Sequence, residues 1–226
     1  MPDLPIAEQI SPKLYTACEQ DNVPQVQALT SNNSSPSFWH GVLLAAVIEK
    51  STDVAAYCLA QGVTVDDFIL RNVVGSNKSE PVYRYFVQNK AVDVNRYVDR
   101  GGAVLGIATT SGRYSLVRFC LENGASPNEP IEMSGNLTPL ACAARQYDEE
   151  MVRLLLDHGA QMKDSGALVF AAQEGKLATV KLLIARGADV NEKRIQRRGR
   201  KKMETRKSTH MHCVGHAHCT HGAGFV

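Results

Sequence analysis

Apolar residues recur along residues 11–191 in a pattern that predicts pairs of short amphipathic helices. Small residues recur at intervals of about 31 positions, and in five of six cases leucine stands three positions earlier. Residues three apart lie on one face of a helix, so each unit predicts a helix that buries this face, followed by a second apolar helix. The small residues are Ala17, Ala46, Gly75, Ala108, Ala143 and Ala171.

A loop residue stands sixteen positions after each small residue, and it is glycine in four of the six units. Glycine at the end of a helix predicts a left-handed cap. The third unit fits least well, because Asn72 replaces the leucine, Gly75 replaces the alanine and Ala91 replaces the loop glycine. The predicted units lie near residues 11–33, 40–62, 69–95, 103–128, 138–161 and 166–191, after an N-terminal extension of residues 1–10.

The fifth unit carries the most specific motifs. Residues 138–144 read Thr-Pro-Leu-Ala-Cys-Ala-Ala, and residues 152–160 read Val-Arg-Leu-Leu-Leu-Asp-His-Gly-Ala. These residues resemble the T-P-L-H-x-A-A and V-x-x-L-L-x-x-G-A motifs of ankyrin-repeat proteins. The resemblance covers residues 11–191, most closely from residue 103 onward, and implies an all-α ankyrin-repeat solenoid of about six helix-turn-helix units. Ala141 stands where the family has histidine, so a bond that ties adjacent repeats is expected to be absent.

The resemblance also implies a surface for partner proteins, made by the inner helices and by the loops between units, called fingers. Carried onto this sequence, the inner-helix contacts are Thr110, Ser111, Arg145, Gln146, Gln173 and Glu174. The longest finger, residues 128–136, is expected to expose Ile131 and Met133 beside Glu132 as anchors for a partner. The alternative is that these side chains fold back on the neighbouring finger. Trp39 similarly has two interpretations, packing on the second unit or binding a partner.

The sequence holds none of the phosphate-binding, dinucleotide-binding, metalloprotease or serine-hydrolase motifs that identify common enzymes. The carboxylates of residues 148–150 are expected at a helix start, where they complement the helix dipole. The Asp157–His158 pair stands just before a loop glycine, and four cysteines, Cys18, Cys58, Cys120 and Cys142, fall on apolar faces. We therefore expect a protein that is not an enzyme and has no cofactor or small-molecule substrate.

The net charge of +2 hides a division within the 226 residues. Residues 1–191 carry a net charge of −5, whereas residues 192–226 carry +7. No apolar run approaches the roughly 20 residues of a membrane-spanning helix, and residues 1–5 do not resemble a secretory signal. Together with cysteines that fit reduced thiols, this predicts a cytoplasmic or nuclear protein that is neither secreted nor membrane-bound, and we expect a monomer.

Residues 192–226 predict a disordered basic tail, because charge is high and apolar content is low. Such a segment is typical of nucleic-acid binding or nuclear import, and equally of a solvated terminus. The alternative function is therefore a nucleic-acid- or metal-binding regulator that acts through this His- and Cys-rich tail. A third interpretation is that these residues come from an alternative or mispredicted gene end. The basic residues concerned are Lys193, Arg194, Arg197, Arg198, Arg200, Lys201 and Lys202.

Histidine and cysteine cluster near the end of the chain, and both are zinc or copper ligands. The cluster lacks a C-x-x-C pair and a following apolar core, so we predict no specific metal site there. The weak candidate ligands are His210, His212, Cys213, His216, His218, Cys219 and His221.

Overall fold

A computed structural model describes residues 10–32, 35–98 and 102–191, which form six consecutive helix pairs. Residues 1–9, the loop residue Asn33 and the predicted tail, with all of its basic and metal-ligand candidates, lie outside the described residues. The helices are α1 Pro12–Glu19, α2 Val23–Thr30, α3 Pro36–Glu49, α4 Thr52–Ala60, α5 Asp67–Gly75, α6 Glu80–Gln88, α7 Val104–Thr110, α8 Tyr114–Glu122, α9 Pro139–Gln146, α10 Glu149–Asp157, α11 Ala167–Gln173 and α12 Leu177–Ala185.

The helix starts follow from local sequence. In α9, Pro139 occupies the first turn, where its missing N–H costs nothing, and the Thr138 hydroxyl accepts a hydrogen bond from the Ala141 N–H at 3.3 Å. In α10, Asp148 caps the helix, and Glu149 and Glu150 stand in the first turn. The position predicted for these carboxylates is therefore confirmed.

The first helix of each pair is the inner helix and the second is the outer helix. Four outer helices end in the left-handed cap that was predicted at the loop glycine. Gly62, Gly124, Gly159 and Gly187 have φ angles of 86°, 87°, 87° and 90°, in the left-handed region. In the third unit Lys90 takes this conformation, with φ of 57°, one residue before the predicted Ala91.

The register predicted for the third unit is wrong. Gly75 is exposed and Asn72 is only half-buried, whereas Leu70 and Val73, two positions earlier, are fully buried. The cause is a 3₁₀ turn at Asn77–Ser79, which lengthens the connection between α5 and α6. The inner helix is thereby shifted relative to the outer one.

The second unit also begins earlier than predicted. Helix α3 starts at Pro36, so Trp39 lies in the first turn of the helix instead of in the preceding loop. The indole is half-buried and meets the Tyr57 ring edge-on, with ring centroids 5.8 Å apart. Trp39 therefore packs within the second unit, in agreement with the packing interpretation given above.

The core runs continuously through the pairs. The five alanines that mark the units, Ala17, Ala46, Ala108, Ala143 and Ala171, are completely buried, which lets neighbouring inner helices approach closely. The four cysteines named above are buried and form no disulfide among the described residues, as expected of small apolar residues. Burial raises the pKa of Cys18 to about 11, and those of Cys58 and Cys120 to about 12.

Each pair is also tied to the preceding one by a hydrogen bond at the turn between its two helices. A side chain just before the outer helix donates to a backbone carbonyl in the turn region of the preceding unit. These bonds occur at all five junctions, without the histidine of the family motif. They join Ser51 to Cys18, Ser79 to Val47 at 3.0 Å, Arg113 to Val74 at 2.8 Å, Tyr147 to Thr110 at 2.6 Å and Lys176 to Tyr147 at 2.5 Å.

Candidate functional site

Two long fingers stand out among the connections between units. The first joins α6 to α7 and is closed by an antiparallel bridge between Tyr97 and Ala103. The second joins α8 to α9 and is closed in the same way by Ile131 and Leu137. A backbone bond from the Ile131 N–H to the Leu137 carbonyl, 2.8 Å long, fixes the second finger. The second finger is therefore a hairpin in which the bridge fixes the direction of the neighbouring side chains.

Two large side chains, Tyr97 and Met133, are exposed on these loops, and a third, Phe68, is exposed in the first turn of α5. We call Phe68, Tyr97 and Met133 the finger row. Contacts between neighbouring residues link them from unit to unit. Asp67, next to Phe68, receives a hydrogen bond from Arg96 at 2.7 Å. The Tyr97 hydroxyl lies 3.4 Å from a carboxylate oxygen of Glu132, next to Met133. The finger row is thus a sequence of apolar surfaces on adjacent units.

The surroundings of the finger row are acidic. Partial desolvation and the nearby charges of Glu132 and Glu129 raise the pKa of the Tyr97 hydroxyl. Asp67 is paired with Arg96. Apolar contact and negative charge therefore coincide around Tyr97 and Met133, a combination that suits a partner with apolar and basic side chains.

The expectation that Ile131 is exposed is wrong. Its side chain is 2% exposed and packs with Leu137, Ala141 and Cys142. Its Cγ1 lies only 2.9 Å from the position that a Cβ would take on Gly106. The hairpin bridge turns Ile131 inward, so the fold-back alternative holds for this residue, while Glu132 and Met133 are exposed as expected.

The predicted inner-helix residues differ in accessibility. The Thr110 hydroxyl donates to the Gly106 carbonyl at 3.1 Å, and the Thr110 carbonyl accepts the bond from Tyr147. The hydroxyl and the carbonyl of Thr110 are therefore both engaged in hydrogen bonds within the chain. The Arg145 guanidinium is half-buried, 5.9 Å from the Phe170 ring centroid. The fully exposed candidates are Ser111, Gln146, Gln173 and Glu174, and their role in binding stays a prediction.

Sequence reasoning missed Phe68 and Tyr97. Phe68 belongs to the third unit, where the wrong register hid which face of α5 is exposed. Tyr97 follows the Asp93-Val94-Asn95 motif by two residues, and that motif was the available signal that Tyr97 begins a finger. Its exposure, however, depends on the bridge to Ala103.

An ionic cluster joins the third and fourth units. Glu80 accepts hydrogen bonds from Arg84 at 2.7 Å and from the Ser115 hydroxyl, and Arg113 lies 3.7 Å from its second oxygen. Burial opposes ionisation of Glu80, but the bonds from Ser115 and Arg84 outweigh it and hold its pKa below the usual value. The cluster ties two units together, and its carboxylate is already engaged by protein donors.

The Asp157–His158 pair is not arranged as a catalytic dyad. Asp157 accepts a hydrogen bond from Arg186 at 2.8 Å, while the His158 ring nitrogen Nδ1 lies 2.9 Å from the Leu154 carbonyl. In residues 10–32, 35–98 and 102–191, no three His, Cys, Asp or Glu side chains come together in a way that could hold a metal ion. No helix in those same ranges has the length and apolar character to cross a bilayer.

An open groove lies between the first and second units. It encloses about 620 Å³ and is lined by Trp39, His40 and Tyr57 with parts of the neighbouring loops. His40 is held in place by Asp66 at 2.8 Å and stacks on Phe68, with ring centroids 6.5 Å apart. The groove thus adjoins the finger row at Phe68.

Comparison with known proteins shows a similarity to ankyrin repeats. A family model described as ankyrin repeats in three copies matches residues 129–194. The solved ankyrin repeat domain of Bcl-3, described as a unique member of the IkappaB protein family, superimposes with a TM-score of 0.62 at 25% identity, over 78% of this chain and 86% of that one.

Curated relatives carry the same repeats. A putative ankyrin repeat protein of Rickettsia bellii is 27% identical over 133 residues, which is 50% of this chain and 36% of the relative. The "Ankyrin repeat, SAM and basic leucine zipper domain-containing protein 1" of Notamacropus eugenii is 38% identical over 93 residues, which is 37% of this chain and 19% of the relative. The chain thus spans about a third of the first relative's length and about a fifth of the second's.

Proposed function

We propose that this chain, which carries ankyrin repeats in an all-α solenoid, is a non-enzymatic scaffold or adaptor that binds partner proteins through its finger row. Ankyrin repeats are in general protein–protein interaction modules. The observation that carries the proposal is the exposure of Phe68, Tyr97 and Met133 on adjacent units. Exposed aromatic and methionine side chains are frequent anchors of protein interfaces.

The partner we propose is an extended protein segment with apolar side chains next to lysine or arginine. Its apolar groups would cover Tyr97 and Met133, and its cations would approach Glu129 and Glu132. Opposite charges across such a surface accelerate association and exclude partners of the wrong charge. The exposed inner-helix residues Ser111, Gln146, Gln173 and Glu174 extend this surface along the fourth to sixth units.

We further propose that the protein acts in the cytoplasm or the nucleus and without catalysis. Four buried cysteines that form no disulfide among the described residues support the first part, because thiols that stay reduced are typical of those compartments. The engagement of Glu80, Asp157 and His158 by protein groups supports the second part.

The experiment is affinity capture from source cells with the full-length chain, with nuclease treatment and quantitative mass spectrometry. A double variant, Tyr97→Ser with Met133→Ser, is compared with a matched control, Leu29→Ser, which also removes an exposed apolar side chain but lies in the first unit, away from the fingers. We expect the finger variant to lose its partners at least about 10-fold and the control to keep them, as removal of interface anchors does. Retention by the finger variant, or release of the partners by nuclease, would contradict the proposal.

A further inference from the structure

The sixth unit ends in an apolar surface that no described residue covers. Leu177 and Ile184 of α12 are 65% and 47% exposed, and Val190 in the following loop is 66% exposed. These are three of the eight large apolar side chains that are exposed among the described residues. We call these three residues, with the half-buried Val180, the end face.

The same positions are covered in earlier units. Ile184 stands three residues before its loop glycine, as Leu121 does in the fourth unit, where it is 6% exposed. Leu59 and Leu156, at the same position in the second and fifth units, are half-buried. Val190 stands in an Asp-Val-Asn motif, as Val94 does, and Val94 is also 6% exposed. Both positions are therefore less exposed in units that another unit follows. The end face therefore has the composition of an internal junction of the stack.

The loop beside the end face also keeps the polar pattern of an internal junction. Asn95 accepts from the Ser126 N–H at 2.8 Å and donates to the Gly124 carbonyl at 3.1 Å, both in the next finger. Asn128 does the same with the Gln161 N–H and the Gly159 carbonyl, at 2.8 and 3.3 Å. Asn191 stands in the third such loop, and its N–H bonds to Asp189 as the Asn95 N–H bonds to Asp93.

The opposite end of the stack is different. Where later outer helices have a buried apolar residue, such as Val54, Val82 and Leu116, the first unit has the exposed Gln25. Terminal repeats of solenoids normally carry a polar outer face because that face meets water. The first unit follows this rule and the sixth does not.

We propose that the end face joins this chain to a second copy through the same face, in a two-fold symmetric dimer. Continuity with the five internal junctions supports association at this face, and two-fold pairing is the commonest arrangement of identical chains. Head-to-tail stacking is disfavoured because Gln25 would meet the apolar end face. Residues 192–207 hold eleven charged residues in sixteen and lack the apolar pattern of a seventh unit. The dimer replaces the monomer expected from the sequence.

The test is sedimentation velocity with light scattering on the full-length chain, from low micromolar to about 100 µM, a range that detects weak dimers. We expect a mass approaching twice 24.7 kDa for the natural sequence. The double variant Leu177→Glu with Ile184→Glu should sediment as a monomer of 24.7 kDa with an unchanged circular-dichroism spectrum. The control Met133→Glu, with its charge on an exposed finger residue, should remain dimeric.

Three results would overturn the proposal. The first is a natural chain that stays monomeric at the highest concentration, because it then has no such interface. Slow amide exchange of residues 177–190 in that monomer would show that another part of the chain covers the end face. A dimer that persists in the Leu177→Glu, Ile184→Glu variant forms elsewhere. Loss of the dimer in the Met133→Glu control would place the contact at the fingers.

Discussion

Ile131 and Met133 stand two residues apart in one finger and have opposite surroundings. Ile131 fills the space above Gly106 and contacts Ala141 and Cys142, whereas Met133 is 76% exposed. The first side chain therefore contributes to folding, and the second is available for binding. This division is the basis of a matched pair of substitutions.

We expect Ile131→Ala to lower the free energy of unfolding by about 2–4 kcal/mol, because it removes a buried side chain and leaves a cavity. Met133→Ala should change it by less than about 0.5 kcal/mol, as surface substitutions do. Urea unfolding followed by circular dichroism measures both values. Equal effects of the two substitutions would show that the finger does not hold Ile131 inside.

Glu80 predicts a dependence of stability on pH. Its pKa is lower in the folded chain than in the unfolded chain, since the Ser115 and Arg84 bonds outweigh burial. Its contribution is therefore present above the unfolded pKa of about 4.3 and is lost as the pH falls through the folded pKa. We expect acid unfolding of the natural chain to be steeper than that of Glu80→Gln. Parallel stability profiles between about pH 6 and 3 would contradict this role.

The buried cysteines predict slow thiol chemistry. The thiolate is the reactive form, and burial raises the pKa of Cys58 and Cys120 to about 12. In the native chain at about pH 8, peptides containing these two residues should stay unmodified by iodoacetamide and become labelled only on unfolding. Rapid labelling of either thiol without unfolding would show that its junction opens readily.

At the scale of the helix pair, side-chain bonds at the turns hold successive units in register. Tyr147 is the most informative member of this series, because its ring lies where a Cβ on Gly112 would come within 2.7 Å. Gly112, with φ of 65°, provides both the left-handed turn and the space for the ring. The bond from Tyr147 to Thr110 depends on that space.

We expect Tyr147→Phe to destabilise the chain by about 1 kcal/mol, since a buried carbonyl loses its donor. Tyr97→Phe is the matched control, because the Tyr97 hydroxyl contacts an exposed carboxylate at 3.4 Å, and the substitution should cost less than about 0.5 kcal/mol. Thermal and urea unfolding of both variants measure the difference. If Tyr147→Phe destabilises the chain no more than the control does, the bond from Tyr147 to Thr110 does not contribute to stability.

The sequence predicted the helix pairs well where the repeat is regular. Leu140 and Ala143 are both buried as their spacing indicated, and Gly159 caps its helix as predicted. The third unit could not be placed from spacing alone, because an extra 3₁₀ turn shifts Leu70 and Val73 into the core positions. The burial of Ile131 could not be predicted from the sequence either, because it depends on which residues pair across the hairpin.

At the scale of the whole stack, each pair contacts mainly its neighbours, so separate surfaces can serve separate purposes. The finger row belongs to the third to fifth units, whereas the end face belongs to the sixth. Partner binding and self-association should therefore respond to different substitutions. A dimer would present two finger rows, which increases the apparent affinity for a partner that carries two binding segments.

The most direct test of the central proposal is amide hydrogen exchange on the full-length chain, alone and with a captured partner. We expect slower amide exchange at residues 96–98 and 131–134 in the complex than in the chain alone. The same partner should leave exchange in the Tyr97→Ser, Met133→Ser variant unchanged. Protection confined to other segments, with the two fingers unaffected, would contradict the assignment of the binding surface to the finger row.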